Sequence, residues 1–391
     1  MIAAALLLGC GRIGFDTIAS TGDDGGPDAS LGGFSRVAAY GDYTCAELRG
    51  NLHCWGENAR GQLGDGTTAP RSEPRHTLLP EGTLGAFAQG EAHACAIVGG
   101  TLHCWGAGFA TTPAPVSLGA PPTDLAAGNG FTCVLVAGIP QCFGSNGNGQ
   151  LGDDTMVPHV NPMPVMGGAI FTSLDGGDDH VCGLTAGGAM CWGHNDDGAL
   201  GTGSFTPANS LAPTAVLATV TTIPRIAGWH SCALTNGTVQ CWGRNMEGAL
   251  GDATQTRTAT PQLVPNLTNV TAIATGGGPA DFDATCAVSN GDVYCWGAGG
   301  GGRLGTGNDN NSLVPVRVTG LPTTAVDVAL GYAHACALLA DEHIWCWGRG
   351  DKGQLGNGAS TSSFAPAQVT VRSGDGLTLR NLRILQNLAS V

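Results

Sequence analysis

Fourteen of the fifteen cysteines fall into seven pairs along the chain: Cys45 and Cys54, Cys95 and Cys104, Cys133 and Cys142, Cys182 and Cys191, Cys232 and Cys241, Cys286 and Cys295, Cys336 and Cys346. Six pairs are nine residues apart and the seventh ten, and the first cysteines recur every 38 to 54 residues, mostly about every 50. Each second cysteine opens Cys-Trp-Gly, with Phe143 in place of Trp in the third copy. In six copies a Gly-x-Leu-Gly follows, as in Gly61-Gln62-Leu63-Gly64. The second copy instead runs from Cys104-Trp105-Gly106 through Ala107-Gly108-Phe109 straight into Thr-Pro, which shortens its period. Self-similarity at such a period is the signature of repeated supersecondary units that bury their faces against one another.

Each repeat reads as four strands. The first is a short apolar run such as Arg225-Ile226-Ala227; the second and third carry the two cysteines; the fourth follows a proline, as in Pro315-Val316-Arg317-Val318. Pairing cysteines nine apart leaves two residues at the turn: Arg49-Gly50, Gly99-Gly100, Ala137-Gly138, Ala186-Gly187, Asn236-Gly237 and Asn290-Gly291. Asn-Gly is a strong signal for a two-residue hairpin, because both positions take positive φ. The seventh repeat has a three-residue turn, Ala340-Asp341-Glu342, to match its spacing of ten. Counting outward from the turn puts the cysteines on a non-hydrogen-bonded pair, where side chains approach most closely. A Cα separation of about 4.5 Å there suits a disulfide.

Zinc is the competing use of the cysteines. His93, His180, His230 and His334 each lie two residues before a first cysteine, but Tyr43, Phe131 and Ala284 hold that place in other copies. A metal site does not tolerate those replacements. Disulfides are therefore expected, with free core thiols as the remaining alternative and the histidines as packing residues. Composition supports short strands and tight turns: 65 glycines, 12% charged residues, Lys352 as the sole lysine, and 42% apolar residues. The last figure argues against a glycine-rich disordered chain.

Four-stranded antiparallel units of this length cover their faces by radial stacking, so the expected fold is all-β: a seven-bladed β-propeller of four-stranded antiparallel blades. His-x-Cys-Ala-Leu, Cys-Trp-Gly and Asn-x-x-Gly-x-Leu-Gly, fullest at His230 to Leu234 and Cys241 to Gly251, resemble the regulator of chromosome condensation repeat. The resemblance covers roughly residues 34–371 and implies a seven-bladed propeller. It also implies binding roles. The eukaryotic founder is a nucleotide exchange factor for a small GTPase that binds chromatin, and bacterial relatives include a secreted propeller that lays one loop face over a target enzyme. A net charge of −14 argues against nucleic acid as a partner.

Fifteen cysteines point away from a reducing cytosol. Residues 1–10 end in Leu7-Leu8-Gly9-Cys10, which resembles a bacterial lipobox with Cys10 as the lipidated residue. The apolar run is short and lacks a preceding basic residue, which a start codon placed too far downstream would explain. Residues 11–33 read as a flexible acidic tether, residues 34–373 as the propeller, and residues 374–391 as a tail. In that tail, residues 377–384 alternate like a strand that latches the ring. The expected location is outside the cytosol: the bacterial outer membrane or cell surface, or the periplasm, with the membrane reached through a lipid anchor at Cys10.

No catalytic motif stands out. Gly147-Asn148-Gly149-Gln150-Leu151-Gly152 matches a dinucleotide fingerprint by letters only, as a repeat turn with no helix after it. Asn308-Asp309-Asn310-Asn311-Ser312 reads as a solvated turn rather than a calcium loop. The expectation is a monomeric, non-enzymatic binding propeller without a cofactor, whose partner is a protein; a polysaccharide or cell-wall module and a nucleotide exchange factor are the alternatives. The first and third connections of each blade share one face, which carries Tyr43, Trp229, Tyr332 and, in the insertion at residues 276–283, Phe282. These four are the candidate partner-binding residues, with blade-top packing as their other reading.

Overall fold

The protein is described by a computed structural model covering residues 27–28, 33–218, 220, 222–278 and 283–372. Residues 1–26, with Cys10, and the tail at 373–391 lie outside the described residues. Seven four-stranded antiparallel sheets follow one another along the chain, each made of four consecutive strands. Blade 1 comprises Phe34–Tyr40, Tyr43–Leu48, Asn51–Gly56 and Arg71–His76. Blade 7 comprises Ala325–Leu330, His334–Leu339, Ile344–Gly348 and Ser363–Gln368. The chain is thus a seven-bladed β-propeller.

The hairpin register follows from the turns. In five blades both turn residues take positive φ, as at Asn236 (50°) and Gly237 (78°). Blade 4 departs from this: Gly188, one residue later, carries the positive φ of 119°. Either way Cys45 faces Cys54, Cys182 faces Cys191, and so on round the ring. Cα separations are 4.0–4.1 Å and the sulfurs of all seven pairs lie at bonding distance.

The outer strands start earlier than the sequence indicates. Pro315 lies inside Ser312–Arg317, and Pro74 inside Arg71–His76, rather than ahead of them. The ladder to the third strand shifts register there, between Cys295 and Gly297 and between Cys54 and Gly56. Proline lacks an amide proton and is tolerated on an edge strand at a bulge, where it also blunts the edge against pairing with another chain.

The core lies between blades. Seven clusters of buried side chains each draw on two neighbouring blades, including the seam between blades 7 and 1. Six fully buried tryptophans anchor these seams. Burying one removes about 150–250 Å² from water, on the order of 4–6 kcal/mol before entropic costs. Each indole N–H donates to the carbonyl of the variable residue in the preceding blade's Gly-x-Leu-Gly: Trp105 to Gln62 (2.8 Å), Trp192 to Gln150 (3.0 Å), Trp242 to Ala199 (2.8 Å), Trp296 to Ala249 (2.8 Å) and Trp347 to Arg303 (2.7 Å).

The ring closes by the same contacts. Trp55 of blade 1 donates to the carbonyl of Gln354 in blade 7, and the amides of Gly33 and Phe34 donate to the carbonyl of Glu342. Outside the blades, Pro27–Asp28 pairs antiparallel with Val371–Arg372. Among the described residues no blade borrows a strand from the other end of the chain. The suggested closing strand at 377–384 falls outside the described residues.

Candidate functional site

The long loops of the Gly-x-Leu-Gly face are held by a buried asparagine. Asn58 Nδ2 donates to Asp65 Oδ1 and to the carbonyls of Thr67 and Ala69, while its Oδ1 accepts from Leu63 N. Asn146 and Asn245 repeat the arrangement in blades 3 and 5. Irregular loops thereby become rigid mounts for the side chains on this face.

The histidines before the first cysteines also belong to the seams. His93, His180, His230 and His334 place Nε2 2.9, 3.0, 2.9 and 2.7 Å from the hydroxyls of Thr132, Ser231, Thr285 and Thr44 in the next blade. Burial pushes His93 down to about 4 and His180 and His334 to about 3. Among the described residues no cluster of His, Cys, Asp or Glu has a metal-binding arrangement.

The four aromatic candidates have different surroundings. Tyr43 stands where other blades have histidine and is fully buried; its hydroxyl donates to the carbonyls of Gly90 and His93 in blade 2. It presents nothing to a partner, which takes it out of the candidate surface: a tyrosine in the histidine slot reaches the next blade directly. Phe282 lies outside the described residues. Tyr332 is half-buried, its ring 5.9 Å from that of Tyr40. Tyr40 in turn donates a 2.5 Å hydrogen bond to Asp178 Oδ1. Trp229 is half-buried, with the His194 ring 5.3 Å away and the Arg244 guanidinium 4.9 Å from its centroid. Arg244 also reaches Met246 Sδ at 3.1 Å, and Met246 is 56% exposed. Trp229 and Tyr332 occupy the first turns of blades 5 and 7, separated by the turn of blade 6.

Arg244 and Met246 were missed by sequence reasoning. Both flank the loop asparagine, so the signal was present: two large side chains where blades 1 and 3 place smaller or shorter ones, Glu57 with Ala59 and Ser145 with Gly147. Acidic groups gather in the first turns. Burial pushes the Asp178 carboxyl up to about 7, aided by the charges of Asp283, Asp179 and Glu91 and opposed by the Tyr40 hydrogen bond.

The central channel, of about 410 Å³, is lined by the innermost strands. Its carboxylates serve the ring: Asp124 Oδ2 accepts from Leu174 N of the next blade (2.9 Å), and Asp175 Oδ2 accepts from Ile226 N (3.3 Å) with Arg225 Nη1 at 3.7 Å. Burial raises Asp175 to about 6.

Among known proteins, the model for the regulator of chromosome condensation (RCC1) repeat matches residues 49–97, 236–278, 290–338 and 341–380, and a second model for the same repeat matches 325–354. The E3 ubiquitin-protein ligase HERC2 of Homo sapiens is 32% identical over 120 residues, 30% of this chain and 2% of the ligase. The chain therefore spans a small fraction of that relative. The crystal structure of human WBSCR16 superposes with a TM-score of 0.72 at 21% identity, covering 82% of this chain and 94% of the other. Prp20p of Saccharomyces cerevisiae, whose structure was described with its binding to Gsp1p and histones, gives 0.70 at 18% identity over 86% and 95%. At these identities the likeness is one of fold.

Proposed function

Because the chain belongs to the family built from regulator of chromosome condensation repeats, we propose that it is a non-enzymatic binding propeller that recognises a protein partner through its long-loop face. The observation that carries this is the grouping of Trp229, Arg244 and Met246 on one rigid loop base. Tryptophan, arginine and methionine are enriched in the buried centres of protein interfaces. A glycan would stack on an open aromatic face, whereas Arg244 already covers one face of Trp229; this favours protein over polysaccharide. Asp179 and Glu91, half-buried in the first turns, favour a partner with a basic surface. Nucleotide exchange is disfavoured by the acidic charge and the single lysine.

Seven disulfides suit an oxidising, extracytoplasmic location. No helix of the described residues is long and apolar enough to cross a membrane. In this reading the protein works as a monomer held to a membrane by a lipid on Cys10, with residues 11–33 as its tether.

Two measurements test the reading. Crosslinking to the native membrane fraction compares the wild type with Trp229→Ala and Met246→Ala; partner yield should fall about tenfold or more while the melting temperature stays put. Equal yields from all three proteins would move the binding face elsewhere. Intact mass of the native protein should show a lipid adduct on Cys10 and alkylation of the other fourteen cysteines only after reduction. Free thiols with an unmodified Cys10 would return the chain to a reducing compartment.

A further inference from the structure

Six seams of the propeller are filled the same way, and one is not. Leu63, Leu151, Leu200, Leu250, Leu304 and Leu355, the leucines of Gly-x-Leu-Gly, are all buried at 0–1% exposure. The residue before each offers its carbonyl to the next blade's tryptophan. At three of these seams a hydroxyl beside the cystine takes the same carbonyl: Thr44 to Gln354 (3.2 Å), Ser231 to Ala199 (2.8 Å) and Thr285 to Ala249 (2.9 Å). Blade 2 has no such turn, and blade 3 has Phe143 for tryptophan. The two departures in the sequence are one structural event: the loop that supplies the acceptor is gone, and so is the indole that would need it.

What remains at the seam of blades 2 and 3 is a pocket of about 400 Å³, walled by Phe109, Phe131 and Phe143. That volume is within the range of ligand-binding pockets. Thr132, 1% exposed, lines it. Its hydroxyl meets His93 Nε2 at 2.9 Å and Cys95 Sγ at 3.7 Å. Among the described residues it lacks the carbonyl that Thr44, Ser231 and Thr285 each reach. Val160, at the rim, is 90% exposed. An apolar surface opening outward from an apolar pocket is unusual on so polar a set of loops.

We propose that this seam receives a turn from a partner protein, one that carries a leucine-like aliphatic side chain. The side chain packs into the pocket against Phe109 and Phe143, whose rings meet edge to face at 6.4 Å, and the carbonyl preceding it accepts from Thr132, as the carbonyl of the Gly-x-Leu-Gly turn does from Thr44, Ser231 and Thr285. The occupant is named by continuity: the same blade-to-blade interface, built six times within the chain, specifies what completes it the seventh time. The inference rests on reading the protein as a binding propeller and adds a second contact, on the same face, that does not use Trp229.

The probe is a head-to-tail cyclised peptide of the protein's own first long loop, residues 57–70, titrated into the whole protein while the NMR signals of the Phe143 ring and Val160 methyls are followed. Saturable shifts are expected at those residues, with a Kd on the order of 1 mM or tighter. The same peptide with Leu63→Ala should bind at least about tenfold more weakly, since the aliphatic side chain supplies the burial. Thr132→Val keeps the shape of the pocket and removes the hydroxyl; it should weaken binding about threefold to tenfold. Phe143→Trp should fill the seam and abolish binding, and if that variant misfolds the Thr132→Val and Leu63→Ala comparisons still decide the matter. Absence of shifts, equal binding of the Leu63→Ala peptide, or shifts confined to other blades would each overturn the inference. Binding seen only after removal of residues 373–391 would overturn it too, assigning the pocket to the chain's own tail. Trp229→Ala protein should bind the peptide as well as the wild type does, so this site and the proposed loop-base surface can fail separately.

Discussion

The indole N–H of Trp55 donates to the backbone carbonyl of Gln354 at 2.9 Å, linking the first and last blades across 299 residues of sequence. Trp242 makes the same bond to Ala199 within the ring at 2.8 Å. The closing seam thus has the composition of an internal one, and in a repeat protein stability is close to a sum of unit and seam contributions. Replacing either tryptophan by phenylalanine removes one of the two donors to a buried carbonyl, the Thr44 or Ser231 hydroxyl keeping the other, and leaves a shallow void. Urea unfolding of Trp55→Phe and Trp242→Phe should each show a loss of about 1–3 kcal/mol, the two agreeing within about 0.5 kcal/mol. A much smaller loss for Trp55→Phe would mean that the ring is held shut elsewhere.

The cystines brace the two middle strands of each blade, where pairing already exists. Closing a loop of about ten residues is worth roughly 2–3 kcal/mol in the chain-entropy model, less where the hairpin is preformed. Removing one bridge with Cys182→Ala and Cys191→Ala together should therefore lower unfolding stability by about 1–3 kcal/mol and leave a folded ring. Full reduction removes all seven, a loss comparable with the whole stability of an ordinary domain, about 5–15 kcal/mol. Dithiothreitol without denaturant should then abolish the cooperative transition seen by circular dichroism; a ring that keeps its transition when reduced would show that the seams alone suffice.

How far the sequence foretold these contacts depended on their range. Hairpin register was legible because two turn residues and a spacing of nine determine which residues face each other; Cys45 and Cys54 could lie almost nowhere else. The burial of the histidines was legible from their place on the cystine side of the strand. Their hydrogen bonds to Thr44, Thr132, Ser231 and Thr285 were not, because each partner lies one blade on and only the ring brings it near. Tyr43 was misread for the same reason: a lone tyrosine at a loop mouth looks exposed until the neighbouring blade covers it. Phe143 and the shortened second repeat were both visible as anomalies, yet their connection needs the knowledge that a tryptophan's partner sits in the blade before its own.

Acid and alkali should act on opposite groups of this ring. His93, His180 and His334 are held neutral by burial, at about 4, 3 and 3, whereas an unfolded histidine takes up a proton near its ordinary value of 6.5. Their contribution is complete above about 6.5 and is lost as pH falls toward 3. Asp178 runs the other way. Its carboxyl is raised to about 7 in the folded ring, chiefly by burial, from an ordinary value of 3.8, so the folded state prefers it protonated. The resulting stabilisation is present below about 4 and disappears as pH rises through about 7. Asp178→Asn keeps an oxygen that accepts from Tyr40 and removes the ionisation. Measured by urea unfolding, the variant should gain on the wild type as pH rises from 4 to 8, by a few kcal/mol at most on the order of the shift itself. Below about pH 4, where Asp178 is protonated in both the folded and the unfolded state, wild type and variant should lose stability in parallel, since that loss belongs to the histidines. A variant whose difference from wild type is flat across that range would mean that Asp178 is already ionised in the folded protein and that its bond to Tyr40 is an ordinary carboxylate contact.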